Sequence, residues 1–200
     1  TESTQRLANF TTDANMASVN AEGKPKLPSN QFVSALLTDY YQITMAYAYW
    51  KLGKQDDQAV FDLFFRKPPF GGEFVVFGGL GAAIDFLQNF KFDEQDIEYL
   101  KRIMNDGGQE VDPLFFDWLA KASLKEVKVW AIPEGTPVFP HVPLMRVEGP
   151  LAVCQLLETT LLNLVNFASL ITTNAVRYRL AAGPTKKLLE FGLRRAQGPD

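Results

Sequence analysis

The chain has 200 residues, 46% hydrophobic and 22% charged, with a net charge of -3. That balance suits one globular domain, or one and part of another, and gives no global attraction to nucleic acid or acidic membranes. The single cysteine, Cys154, excludes an internal disulfide and a cysteine-based metal site, which fits a reducing compartment; the single histidine, His141, is too little for a two-histidine metal site or a complete local triad.

Residues 1–33 are rich in Thr, Ser, Asn and Ala and have no hydrophobic run, so they predict a disordered arm rather than a secretory signal. Glu2, Asp13 and Glu22 speak against an organellar transit peptide. Thr38 or Asp39 can cap a helix from about Tyr40 to Leu52, closed by Gly53. Its Tyr40, Tyr41, Tyr47, Tyr49 and Trp50 exceed what one core-facing stripe needs, so at least one ring should lie outside the core. Ala59 to Arg66 and Phe74 to Phe77 predict two strands, joined as a hairpin by a Pro/Gly loop with Arg66 and Lys67 at its mouth.

Leu80 to Phe90, Asp93 to Asn105 and Asp112 to Ser123 read as structural helices with solvated charged faces. Val127 to Glu148 returns to short strands, broken by Pro140 and Pro143, with His141 between them as a surface or hydrogen-bonded residue. Pro150 then opens a long helix to Ala182 that carries only three charges, Glu158, Arg177 and Arg179. Its polar residues, Gln155, Thr159, Asn163, Asn166 and Thr173, are uncharged and recur near a helical period. Such a stripe implies burial on all sides with hydrogen-bonding partners, or a subunit interface, and not a membrane span. A break is predicted near Asn166, because an unbroken helix would run roughly 50 Å.

Lys186 to Phe191 predicts a buried strand behind the Gly183-Pro184 breaker. Gly192 and the adjacent Arg194 and Arg195 follow it. Guanidinium groups just past a strand end suit an anion, since ligands of α/β folds sit beyond the strand carboxyl ends. The same residues also fit a solvated loop.

The stretches TDYYQITMAYAYW (Thr38 to Trp50), FFRKPPFGGE (Phe64 to Glu73), PEGTPVFPHVPLMRVEGPL (Pro133 to Leu151), LETTLLNLVNFASL (Leu157 to Leu170) and EFGLRRAQGPD (Glu190 to Asp200) together resemble the nicotinate phosphoribosyltransferase family, in order and spacing. The resemblance covers roughly Ala35 to Asp200. It implies an α/β protein of the type II phosphoribosyltransferase fold: an amino-terminal α+β domain, residues 34–150, and the start of an irregular α/β barrel, residues 151–200. It implies transfer of phosphoribose from phosphoribosyl pyrophosphate to nicotinate, driven by ATP hydrolysis and assisted by Mg2+, as the first step of NAD biosynthesis from nicotinate. A cytoplasmic homodimer with site residues from both subunits is expected, without nucleic acid or membrane partners.

By the same resemblance Tyr41 contacts the pyridine across the dimer interface, and Phe191 faces the ring. Arg194 contacts substrate and phosphoribosyl groups as the candidate catalytic residue, Arg195 is a second candidate of that kind, and Arg66 approaches the pyrophosphate. Asp39 either orients Tyr41 or caps its helix. The family's phosphorylated histidine is expected after Asp200, so His141 is not that residue, no metal ligand is assigned, and these residues alone are expected not to turn over. The alternatives are a nicotinamide phosphoribosyltransferase, or a non-catalytic fragment that dimerises or binds.

Overall fold

Helix α5, Leu151–Ala182, is the element against which the others are laid. The computed structural model describes residues 30, 32–106, 108 and 110–197; most of the predicted amino-terminal arm and residues 198–200 lie outside these. Before α5 come α1 (Tyr40–Lys51), β1 (Gln58–Leu63), β2 (Val75–Val76), α2 (Leu80–Asn89), α3 (Glu94–Asn105), α4 (Pro113–Leu119), β3 (Lys128–Ala131), β4 (Pro137–Val138) and β5 (Met145–Pro150). The division expected at residue 150 falls where β5 passes directly into α5.

The predicted break at Asn166 does not occur. The 32 residues of α5 contain neither glycine nor proline, and the hydroxyls of Thr172 and Thr173 return to the carbonyls of Ala168 and Ser169 one turn back. Gly183, at φ 75, ends it.

The apolar residues of α5 divide between two cores. Val153, Leu157, Leu161 and Val165 stand one turn apart and join Phe77, Phe86, Met145 and Val147 in one cluster. Ala152 and Leu156, on the neighbouring face, join Ile43, Leu100, Phe115 and Phe116 in the other. Full burial of a side chain such as Leu157 contributes about 2–3 kcal/mol. The helix is also long and apolar enough to cross a membrane, but half of its most apolar window is buried against the rest of the chain, which identifies a core helix.

The predicted β1–β2 hairpin is corrected. β1 and β3 flank β5 in one antiparallel sheet, and β2 pairs with β4 in a second. Alternation chooses the register. Ala59, Phe61 and Leu63 lie opposite Gly149, Val147 and Met145, and Val129 and Ala131 lie opposite Val147 and Met145. Directly opposed residues share a sheet face, so one face is apolar throughout, while the other sets Asp62 against Arg146 and Lys128 against Glu148. No register of β1 on the two-residue β2 could satisfy that pattern.

The uncharged stripe of α5 has two fates. Gln155 and Thr173 are buried, as are the adjacent Thr160 and Ser169, whereas Asn163 and Asn166 are exposed. The buried hydroxyls serve the main chain beside β2. Thr173 Oγ1 accepts from Val76 N–H at 2.9 Å, and Ser169 Oγ accepts from Gly78 N–H at 3.1 Å. They act where a neighbouring strand would otherwise pair. Gly78 and Gly79 permit this approach: a Cβ on Gly78 would lie 2.8 Å from Thr172 Oγ1, and Gly79 has φ 93 with its backbone against Leu164 O.

The predicted strand at Lys186 to Phe191 is also corrected: the segment is irregular and exposed. A strand needs a neighbour for its main-chain groups, and no described residues run beside it. The carbonyls of Gly183 and Lys186 instead accept from Arg179 Nη1, at 3.0 and 2.7 Å. The third helix is shorter than predicted, since Leu119 gives way to turns whose amides bond back to Phe116 and Trp118.

Candidate active site

Helix α1 begins at Asp39, whose N–H donates to Gln42 Oε1 at 3.1 Å, the arrangement of a capping residue and its N3 partner. The aromatic surplus sorts as expected. Tyr47 and Trp50 pack around Phe115, with Tyr49 partly buried beside them, while Tyr40 and Tyr41 remain 51% and 46% exposed. Tyr41 stands at the seam with α5, and its hydroxyl donates to Glu158 Oε1 at 3.1 Å. Partial desolvation, followed by the hydrogen bond and charge of Glu158, raises the phenol above its ordinary value of 10.0.

Behind Glu158 lies a buried amide pair. Gln155 Nε2 donates to Glu158 Oε2 at 2.7 Å. Gln42 Nε2 donates to Gln155 O at 2.8 Å and reaches Glu158 Oε2 at 3.4 Å. Gln42 is 0% exposed, and the Thr38 hydroxyl also bonds its Oε1. The Asp39 carboxylate accepts from Thr159 Oγ1 at 2.8 Å, so Asp39 both caps α1 and ties it to α5.

Arg66 and Lys67 are exposed on the 64–74 loop, and Arg177 grips that loop. The Arg177 guanidinium stands over the Phe74 ring at 5.6 Å and reaches the carbonyls of Pro69 and Phe74, each at 3.4 Å. Gly72 lies against the same guanidinium, where a Cβ would overlap it. Phe191, Arg194 and Arg195 sit beyond the carboxyl end of α5, the two arginines on one turn of 3-10 helix (Leu193–Arg195) and all exposed. The Glu190 carboxylate folds back onto Gly192 N–H.

Arg66 lies on the loop that Arg177 grips near the carboxyl end of α5, Phe191, Arg194 and Arg195 follow that end in the chain, and Tyr41 is held at Glu158. Glu158 and Arg177 are separated by roughly 28 Å along an unbroken helix. Within one chain the Tyr41 phenol and the Arg177-held loop that carries Arg66 are therefore anchored at different points of the helix.

Sequence reasoning assigned no role to Glu158, Arg177 or Gln42, and expected of Gln155 only the burial with hydrogen-bonding partners that it has. A signal was present for the first two, because they are two of the only three charges on α5, and Arg179, the third, is the residue that turns the chain after Gly183. His141 is exposed at φ 65, its N–H donates to Phe65 O at 2.9 Å, and its ring lies 5.5 Å from Phe64. Cys154 is buried, which pushes its thiol up to about 11 and leaves it unreactive as a nucleophile near neutral pH. Among the described residues no three His, Cys, Asp or Glu side chains gather to hold a metal ion.

Residues 36–166 match the nicotinate phosphoribosyltransferase (NAPRTase) N-terminal domain. The chain belongs to that family. It is similar to nicotinate phosphoribosyltransferase 2 of Arabidopsis thaliana, 57% identical over 173 residues, which are 86% of this chain and 30% of the relative. It is similar also to nicotinate phosphoribosyltransferase of Dictyostelium discoideum, 56% identical over 180 residues, 90% of this chain and 30% of the relative. The crystal structure of human nicotinic acid phosphoribosyltransferase matches with a TM-score of 0.74 and 52% identity, covering 82% of this chain and 32% of that one. The chain thus spans about a third of the length of these relatives, and its mixed helix-and-strand architecture is that of the family's amino-terminal α/β region.

Proposed function

We propose that the gene product carrying this chain is a nicotinate phosphoribosyltransferase, which joins nicotinate to the phosphoribosyl group of phosphoribosyl pyrophosphate and releases pyrophosphate, with ATP as co-substrate. The observation that carries the reading is the 57% identity over 86% of the chain to a relative of that name. Tyr41 and Arg66 both fall within the residues matched by the family. Tyr41 offers a half-exposed aromatic face to a flat pyridine. Arg66, Arg194 and Arg195 offer guanidinium groups to phosphate oxygens, where negative charge grows as pyrophosphate departs. Phe191, 85% exposed, is available as a second ring face.

Mg2+ belongs to the same proposal as a counter-charge for pyrophosphate. The described residues do not build a site for it. A cytoplasmic location is likewise proposed; its support is a single buried cysteine that needs no oxidising compartment, and cell fractionation tests it.

A homodimeric site completes the reading. Tyr41 and the loop of Arg66 are anchored at different points along α5, so a second copy is the natural source of the missing wall. The complete gene product should form nicotinate mononucleotide from radiolabelled nicotinate, phosphoribosyl pyrophosphate and ATP; absence of product refutes the activity. Separately inactive Tyr41→Ala and Arg194→Ala proteins, mixed under demonstrated subunit exchange, should recover about a quarter of native activity, because only mixed dimers carry one intact site. No recovery would place both residues in one subunit's site.

A further inference from the structure

We propose that Glu158 is the positioning residue for Tyr41, fixing the angle at which the ring is presented to the pyridine substrate. The inference rests on the functional reading above and names a residue that reading does not use. Its basis is the division of labour between the two carboxylate oxygens. Oε2 faces inward and is held by Gln155 Nε2 at 2.7 Å and Gln42 Nε2 at 3.4 Å. Those amides are buried, and Gln42 is itself held by Gln155 O, Asp39 N–H and Thr38. Oε1 faces outward and takes the Tyr41 hydroxyl at 3.1 Å. A carboxylate clamped on its buried side thus presents a fixed acceptor to a half-exposed phenol.

Tyr41 needs such a fixture. Its ring lies outside both hydrophobic clusters, so packing does not set its torsions as it does for Tyr47 and Trp50. Thr159, next along α5 and bonded to the Asp39 carboxylate, is also within hydrogen-bonding reach of the phenol. Two consecutive residues of α5 therefore meet the ring's polar end. The bland account is that Glu158 merely fastens α1 to α5. It predicts that losing Glu158 loosens the helix pair whether or not residue 41 carries a hydroxyl.

A double-mutant cycle in the complete gene product separates the two accounts. Glu158→Ala should raise KM for nicotinate about tenfold, with a smaller change in kcat, the size expected for one hydrogen bond to a charged group. In a Tyr41→Phe background the same substitution should leave KM unchanged, since the hydroxyl through which Glu158 acts is gone. An equal rise in both backgrounds overturns the proposal. Should Glu158→Ala fail to fold, a crystal structure of Tyr41→Phe, which removes the hydroxyl and leaves Glu158 on its inner amides, is read instead: a residue-41 ring rotated or spread over several rotamers supports the proposal, and an unmoved ring overturns it. A crystal structure of the Glu158 variant decides without any activity: a Tyr41 ring rotated or spread over several rotamers supports the proposal, and an unmoved ring overturns it. If the native protein makes no nicotinate mononucleotide, the functional reading fails, while the ring's position in that crystal structure still reports whether Glu158 holds it.

Discussion

Along the first half of α5, polar side chains meet the start of α1: Glu158 takes the Tyr41 hydroxyl, Thr159 the Asp39 carboxylate and Thr160 the Leu37 carbonyl; along the second half, from Ser169 onward, they grip main-chain groups in and just after β2, in the 64–74 loop and in the chain from Gly183. Ser169 and Thr173 hold the backbone of residues 76 and 78, Arg177 holds the 64–74 loop, and Arg179 holds the chain as it leaves the helix. The first half also buries six consecutive residues, Ala152 to Leu157, whereas the second ends with Tyr178 and Leu180 at 68% and 69% exposure. The contrast teaches that one helix does two jobs. Its first half holds a half-exposed side chain at the edge of a packed core, and its second half holds the loop of Arg66 and the chain that leads toward Arg194 and Arg195.

Ahead of the second half the chain lies close against the middle of α5, at Leu164, and Gly79→Ala should have the largest effect. The new Cβ would meet Leu164 O at a left-handed φ of 93, and strain plus overpacking should cost about 3 kcal/mol or more in denaturant unfolding. A cost below about 1 kcal/mol would show that strand and helix can separate freely, and would break the contrast. Arg177→Met should act more locally. Removing the guanidinium from Pro69 O, Phe74 O and the Phe74 ring should cost about 1 kcal/mol globally, and amide exchange over residues 66–74 should quicken while the Tyr41 seam keeps its protection. Faster exchange at both places would mean the two halves are one cooperative unit.

The smallest effect belongs to the sheet face, which neither half of α5 needs. Asp62 and Arg146 meet at 2.8 Å, and that hydrogen bond holds the Asp62 carboxyl below its ordinary value of 3.8. A lowered folded value contributes stability above the ordinary value, and that contribution is lost as pH falls below 3.8 and through the folded value. The pair is solvent-exposed, so Asp62→Asn should cost only about 0.5 kcal/mol at neutral pH and nothing in strong acid. Urea melts at both pH values check it.

Much of this was legible in the chain. The helices at Tyr40, Leu80 and Glu94 follow from caps and periodicity, forces that act within a few residues. The partly exposed ring on α1 was readable from an aromatic count that no single stripe could absorb. Strand partners were not readable. β1 skips the nearby β2 for β5, more than eighty residues away, because only there do apolar and charged faces both match.

The candidate site divides in the same way. Sequence by itself determined the family, through five stretches whose order and spacing carry the resemblance, and it named Tyr41, Arg66, Phe191, Arg194 and Arg195 as candidates. Only the tertiary structure decided that Tyr41 and the loop of Arg66 are anchored at different points of one unbroken helix. Only it revealed that Glu158, Gln42 and Gln155 lie behind the ring. Motifs record which side chains are present, whereas a hydrogen bond spanning 117 positions of chain exists only once folding has brought α1 against α5.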